Sequence, residues 1–303
     1  ACVFARSFRL VASFDPSTSI TVVLSYRNIT AGIDCIGLGA ALPHLEMEVV
    51  AGRVAGGGVF VHYDKISEKS AEVYVDTEVR NDGSGMRNVS VETAFTDAGG
   101  KLIKQISGSV TLKAGETRTV KQKLVVNKPQ LWSPDSPYLY RVESRVKEKG
   151  KYIDGGITRV GIRKAEFKGK DGFWLNGKPF GQLIGANRHQ DFAYVGNALP
   201  NSGHWRDAKK LRDAGCRIIR VAHYPQDPSF MDACDELGMF VIVATPGWQY
   251  WNKDPEFALL VHENTRQIIR RDRNHPCIDV GAYFERNPLS FGFCFGGFAD
   301  NQR

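Results

Sequence analysis

The stretch QLIGANRHQDFAYVGNALPNSGHWRDAKKLRDAGCRIIRVAHYPQDPSFMDACDELGMFVIVAT, residues 182–245, decides the fold. Three apolar runs, 182–186, 216–222 and 239–245, alternate with stretches that carry helix signals. HWRDAKKLRDAG closes on Gly215, while DPSFMDACDELG opens on Asp227 as N-cap, with Pro228 at the first helical position, and closes on Gly238. A third helical stretch, DPEFALLVHENTRQIIRRDRN, again opens on Asp-Pro. Strand, loop, helix, strand is the rhythm of a parallel sheet. A closed eight-stranded β/α barrel takes about 250 residues. Only some 130 follow residue 170, enough for four strands, so the first half of such a barrel is expected, with unpaired strand edges.

Upstream the period changes. Between 58 and 165, GVFVHYD, AEVYVDTEVRND, NVSVETAFTDAGG, SGSVTLKAGET, RTVKQKLVV and YLYRVESRVKEKG alternate apolar with polar. Turn signals such as Asn81-Asp82-Gly83, Gly99-Gly100 and Gly115-Glu116 separate them. Short two-faced strands at this spacing predict an antiparallel β-sandwich. Residues 1–57 show short apolar runs, a Gly/Ala-rich patch near 37–41 and no sustained period. The start has neither Met nor the layout of a secretion signal, and the natural N-terminus is expected to lie upstream; the compartment stays open.

The composition, 42% hydrophobic and 24% charged, is that of an ordinary globular protein, and no apolar run is long enough to span a membrane. The net charge of +7 raises a polyanion partner as one reading. However, the one tight basic cluster, Arg266, Arg270, Arg271 and Arg273, falls at a helix C-terminus, where cations suit the dipole, and a solvated helix end is expected. No nucleic-acid or membrane partner is therefore expected. Cys2, Cys35, Cys216, Cys234, Cys277 and Cys294 lack metal-ligand or paired spacing, and Cys216 and Cys234 sit in apolar runs that suit buried residues. No metal site is expected.

Barrel chemistry gathers at the C-terminal ends of strands. Those ends carry Asn187-Arg188-His189-Gln190-Asp191, then Arg220-Val221-Ala222-His223-Tyr224-Pro225, then Pro246-Gly247-Trp248-Gln249-Tyr250-Trp251. Imidazoles, guanidinium and aromatic rings on one face suit a polyhydroxyl ligand. Arg220 ends an apolar strand and needs an acidic or sugar partner. His189 reads equally as an exposed loop residue, and Trp248, Tyr250 and Trp251 as caps of the barrel mouth.

At GFWLNGKPFGQLIGANRHQD, RIIRVAHYPQDPSFMDACDELGMFVI and RRDRNHP the sequence resembles the start of the catalytic barrel of glycoside hydrolase family 2. Leu131-Trp132-Ser133-Pro134 and Pro137-Tyr138-Leu139-Tyr140 resemble the immunoglobulin-like domain that precedes that barrel. The resemblance covers about 58–277. It implies an immunoglobulin-like sandwich over 58–165, the N-terminal half of a (β/α)8 TIM barrel over 166–303, and a remnant of a sugar-binding jelly-roll domain in 1–57. It further implies a retaining exo-β-glycosidase of β-galactosidase or β-glucuronidase type, acting on a carbohydrate with no required cofactor, although some relatives hold Mg²⁺ or Na⁺ near the site. His189, His223, Asn187 and Trp248 would line the sugar subsite, and Arg220 would support the nucleophile.

The family mechanism needs two glutamates about 5 Å apart. The acid/base would follow Asn after the fourth strand, yet the sequence there reads IDVGAYFERNPLSFGFC, and Glu285 is not preceded by Asn. The nucleophile belongs to the seventh strand, which has no counterpart here. The genetic code offers an account. The last two bases of each codon from Ile278 to Cys294, joined to the first base of the next, can spell LMWEPILNETRYPLDFA: an apolar strand with Trp, then Asn-Glu. The glutamate would be coded across Arg286 and Asn287. The tail from about 278 is therefore expected to be an out-of-frame translation, with no reason to fold as the fourth strand. The chain as written is expected to be inactive. Two alternatives are a non-catalytic carbohydrate-binding or adhesion protein, and a different barrel enzyme using Glu236 or Glu263; both of these glutamates fall in helices.

Overall fold

The computed structural model of the chain describes residues 58–244 and 253–278, together with the backbone of four strands between residues 7 and 47. Three of these, β1 (Ser7–Asp15), β2 (Thr18–Ser25) and β3 (Asp34–Ile36), form a small antiparallel sheet in order β1-β2-β3. The fourth, β4 (Leu45–Met47), pairs with Val79–Asn81, so the sandwich sheet takes in a strand from the region before residue 58.

The sandwich strands are β5 (Val59–Asp64), β6 (Ser70–Asn81), β7 (Arg87–Thr96), β8 (Leu102–Leu112), β9 (Thr117–Asn127), β10 (Tyr140–Glu148) and β11 (Lys151–Val160). In one sheet β6 lies between β9 and the β5/β4 edge; the other runs β11-β10-β7-β8, all antiparallel. Along β6 burial alternates at every residue, the mark of a strand with one face in the core. Val61, Val73, Val75, Phe95, Leu124, Tyr140, Val142 and Val160 fill the space between the sheets. Two of the buried polar side chains there pair with each other: Thr93 Oγ1 donates to Gln122 Oε1 across 2.6 Å, and Gln122 Nε2 donates to the Val91 carbonyl. Asn81, predicted in a turn, is buried and donates to the carbonyls of Gly85, Leu112 and Lys113 while accepting from Gly83 N. Strand β11 was not legible in the sequence, because Gly155-Gly156 interrupts its alternation.

Beyond the sandwich, β12 (Ala165–Phe167), β13 (Phe173–Leu175) and β14 (Lys178–Pro179) make a small antiparallel sheet. Phe173 and Phe180 stack edge-on against Phe240, which also meets Trp132, and so floor the N-terminal end of the barrel segment. Strands β15 (Gly185–Arg188), β16 (Ile218–Val221) and β17 (Phe240–Val243) are parallel and adjacent. Helices α1 (Asn201–Asp213), α2 (Pro228–Leu237) and α3 (Pro255–Asp272) alternate with them. Asp227 caps α2 by accepting from Ser229 N, and Gly238 ends it in the left-handed region at φ 72°. Val241 N donates to the Cys277 carbonyl and Val241 bridges Ile278 in parallel, so a fourth strand begins at the edge of β17. Residues 279–303, where the out-of-frame reading falls, lie outside the described residues.

Two expectations are corrected here. The first barrel strand spans Gly185–Arg188 instead of 182–186, which moves Asn187 and Arg188 from a loop into the strand. The shift has a steric cause: a Cβ at Gly185 would come 1.6 Å from the Ile218 carbonyl oxygen, so this glycine fixes where the two strands meet. Nor is the basic cluster a solvated helix end. Arg270 pairs with Glu78 of β6, Arg273 lies 4.4 Å over the Phe60 ring, and Arg271 pairs with buried Asp272. Only Arg266, at 76% side-chain exposure, faces solvent.

The same segment clamps the sandwich. Asn274 accepts from Val61 N and donates to the Val59 carbonyl, matching one residue of an adjacent strand along β5. Arg163 donates to the carbonyls of Pro276 and Ile278. From the sandwich side, the wholly buried Trp132 enters the barrel core and donates its indole N–H to the Asp235 carbonyl at 2.9 Å. Sandwich and barrel segment are therefore packed as one body around Trp132, Asp235 and residues 274–278.

Candidate functional site

Along β15 and β16 the faces alternate. Ile219 and Val221 are buried against the helices, whereas Asn187 is exposed and Arg220 half-buried on the opposite, concave face. Asn187 and Arg220 are Cα partners in the parallel register, which brings their side chains together. Arg220 Nη1 donates to Asn187 Oδ1 at 3.4 Å, and its Nη2 lies 3.1 Å from His223 Nδ1. A guanidinium only donates, so His223 accepts at Nδ1 and carries its ring proton on Nε2, as a donor. The His189 ring stands edge-on to His223, with centroids 5.3 Å apart. Four of the five residues singled out from the sequence thus form one cluster at the C-terminal ends of the first two barrel strands. The fifth, Trp248, lies outside the described residues, as do Tyr250, Trp251 and Glu285.

Arg188, between two cluster residues in sequence, faces the other way. It is buried over the Phe230 ring at 4.0 Å, pairs with Asp207, donates to Gln226 Oε1, and approaches His204 Nδ1 at 3.2 Å. Burial holds the His204 imidazole below its usual range despite the nearby Asp227 carboxylate, which suits a neutral acceptor for the guanidinium. Gln226 Nε2 returns a bond to the Arg188 carbonyl, and Asp227 N donates to Gln190 Oε1. This second layer fixes the strand end that carries Asn187 and His189. It was missed in the sequence because strand register, not residue type, decides which side chains face the mouth.

Glu236 and Glu263 take no part in the cluster. Glu236 pairs with Arg159 of the sandwich and accepts from Trp205 Nε1, and Glu263 accepts from Gln267 on α3. Another compact set, Asp235, His275 and Cys277, offers donor atoms within 4.8 Å of one another. Its groups are spent internally: His275 Nδ1 lies 2.6 Å from Asp235 Oδ2, Cys277 N donates to Asp235 Oδ1, and Cys277 Sγ faces the Met231 carbonyl. No described helix is long and apolar enough to cross a membrane.

An immunoglobulin-like sandwich joined to a parallel β/α segment, with amide, guanidinium and imidazole groups at the strand ends, defines a multidomain barrel protein with its polar site on the usual barrel face. Known families narrow that class. The pattern described as glycosyl hydrolases family 2 matches residues 54–163, and that of the family's TIM barrel domain matches 166–280. The chain belongs to glycosyl hydrolase family 2. It is 35% identical over 221 residues to a β-galactosidase of Thermoanaerobacter pseudethanolicus, covering 73% of this chain and 29% of that protein. A β-glucuronidase of Bacteroides fragilis is 34% identical over 254 residues, covering 78% of this chain and 36% of the relative. The crystal structure of a Bacteroides uniformis β-glucuronidase superposes with a TM-score of 0.72 at 32% identity, covering 77% of this chain and 28% of that one. The chain thus spans about a third or less of the length of these relatives.

Proposed function

We propose that this chain carries the sugar-binding edge of a retaining exo-β-glycosidase of β-galactosidase or β-glucuronidase type, without the two carboxylates that cleave the bond. One observation supports this reading above the others: Asn187, His189, Arg220 and His223 converge at the C-terminal ends of β15 and β16. A sugar ring seated there meets an amide, a guanidinium and two imidazoles, which between them donate to and accept from vicinal hydroxyls. In the intact reaction one glutamic acid protonates the leaving oxygen, a second attacks the anomeric carbon, and water releases the sugar. Arg220 would hold the attacking carboxylate ionised and in place.

The family match ends at residue 280, and the out-of-frame reading of the tail begins at about 278. Sequencing the gene across codons 278–294 tests that reading: bases permitting LMWEPILNETRYPLDFA agree with it, and bases forbidding that string refute it.

The binding role is tested on the 303-residue chain by ligand-observed NMR with methyl β-galactoside and methyl β-glucuronide. One of them is expected to bind in the millimolar range, and Arg220→Ala to weaken it at least about tenfold, the worth of one hydrogen bond to a charged group. Undiminished binding by Arg220→Ala, or binding of neither sugar, contradicts the assignment.

A further inference from the structure

The loop that leaves His189 and runs to α1 is tied down at several points. Phe192 N and Gly196 N each donate to the other's carbonyl, at 3.1 and 2.8 Å, and Ala198 N donates to the Val195 carbonyl. Gln190 N donates to the Tyr224 hydroxyl, next to His223. Phe192 lies 5.9 Å from the buried Arg188 guanidinium. At the tip of this fastened loop stands Tyr194, fully exposed at 107% and with φ at +70°. A bulky non-glycine residue in the left-handed region is strained, and a strained residue held by its surroundings points to use. Single exposed aromatics are ordinary. This one is set on a braced turn in the loop that leaves His189, and its own fold gains no packing from the ring.

We infer that Tyr194 is the platform for the leaving-group half of a β-glycoside, taking a flat apolar face such as an aryl ring or the C–H face of a second sugar. The inference rests on the proposed sugar site at Asn187, His189, Arg220 and His223, which holds the other half. A ring offered to solvent on a fixed turn binds such a face with little ordering of its own. Tyr194 is thus a specificity residue, acting on what is attached to the sugar and not on the sugar itself.

The test compares methyl with p-nitrophenyl β-glycosides of the sugar that binds, by the same NMR titration of the whole chain. The aryl glycoside is expected to bind about fivefold tighter than the methyl glycoside. Tyr194→Ala should abolish that preference and leave methyl glycoside affinity unchanged, while Tyr194→Phe should keep it. Tyr194→Gly, whose backbone accepts a positive φ without strain, should behave as the alanine variant does. An aryl preference that survives in the alanine and glycine variants overturns the inference and leaves the sugar site standing. Failure of the methyl glycoside to bind the unmodified chain overturns both.

Discussion

Trp132→Ala will lower the unfolding free energy by about 3–5 kcal/mol, the range for emptying a large buried aromatic site. Against a typical total of about 5–15 kcal/mol, that is a large fraction of the stability. The ring has no exposed surface, packs on Phe240 at 5.5 Å between centroids, and donates to the Asp235 carbonyl. Its backbone N–H donates to Ile162, and Gly161 packs so closely on it that a Cβ there would lie 2.9 Å from the Trp132 Cβ. Truncation leaves a cavity walled by two domains, and neither can collapse into it alone. Trp132→Phe keeps most of the packing and should lose about 1–2 kcal/mol, chiefly the indole bond. Urea denaturation followed by circular dichroism measures both, and a loss below about 1 kcal/mol for the alanine variant would show that the domains do not share this core.

The second large effect belongs to Asp235. Its two carboxylate oxygens hold His275 and the Cys277 amide, which places it between the end of α2 and the start of the fourth strand. Burial alone would lower the His275 pKa, but the Asp235 carboxylate, with Asp272 and Asp232 behind it, raises it from 6.5 to about 9. A pKa raised on folding stabilises fully below the unfolded value and is lost as pH climbs through the folded one. This pair therefore contributes about 3 kcal/mol below pH 6.5, which declines between 6.5 and 9 and is gone above that. Asp235→Asn leaves a buried imidazole without its counter-charge and should destabilise by about 3–5 kcal/mol at pH 6. Stability measured at pH 6 and pH 9.5 should differ markedly in the unmodified chain and little in the variant. An equal pH response in the two would remove Asp235 as the cause.

Much of this architecture was legible in the residues. Strand β6 alternates without a fault, Asp227-Pro228 and Gly238 bracket α2 by capping chemistry alone, and the βαβ rhythm follows from three apolar runs. Other features required three dimensions. Gly185 packs its backbone against Ile218 where β15 meets β16, which only the folded sheet reveals, and strand alternation then turns Arg188 away from the mouth. The arginines near 270 look like a charged helix end because their partners, Glu78 and Phe60, are some 190 residues or more away in sequence. The Asn187–Arg220–His223 grouping was half legible: strand ends are predictable, but a Cα register of Asn187 with Arg220 is not.

The decisive measurement is the hydrolysis of p-nitrophenyl β-galactoside and β-glucuronide by the purified 303-residue chain, beside its binding of the matching methyl glycosides. A chain that presents the sugar-binding edge alone binds one of these sugars and releases nitrophenol no faster than buffer. Release at an enzymatic rate would mean that a working pair of carboxylates exists among these residues, and the reading of the strand ends and of the tail would both be wrong.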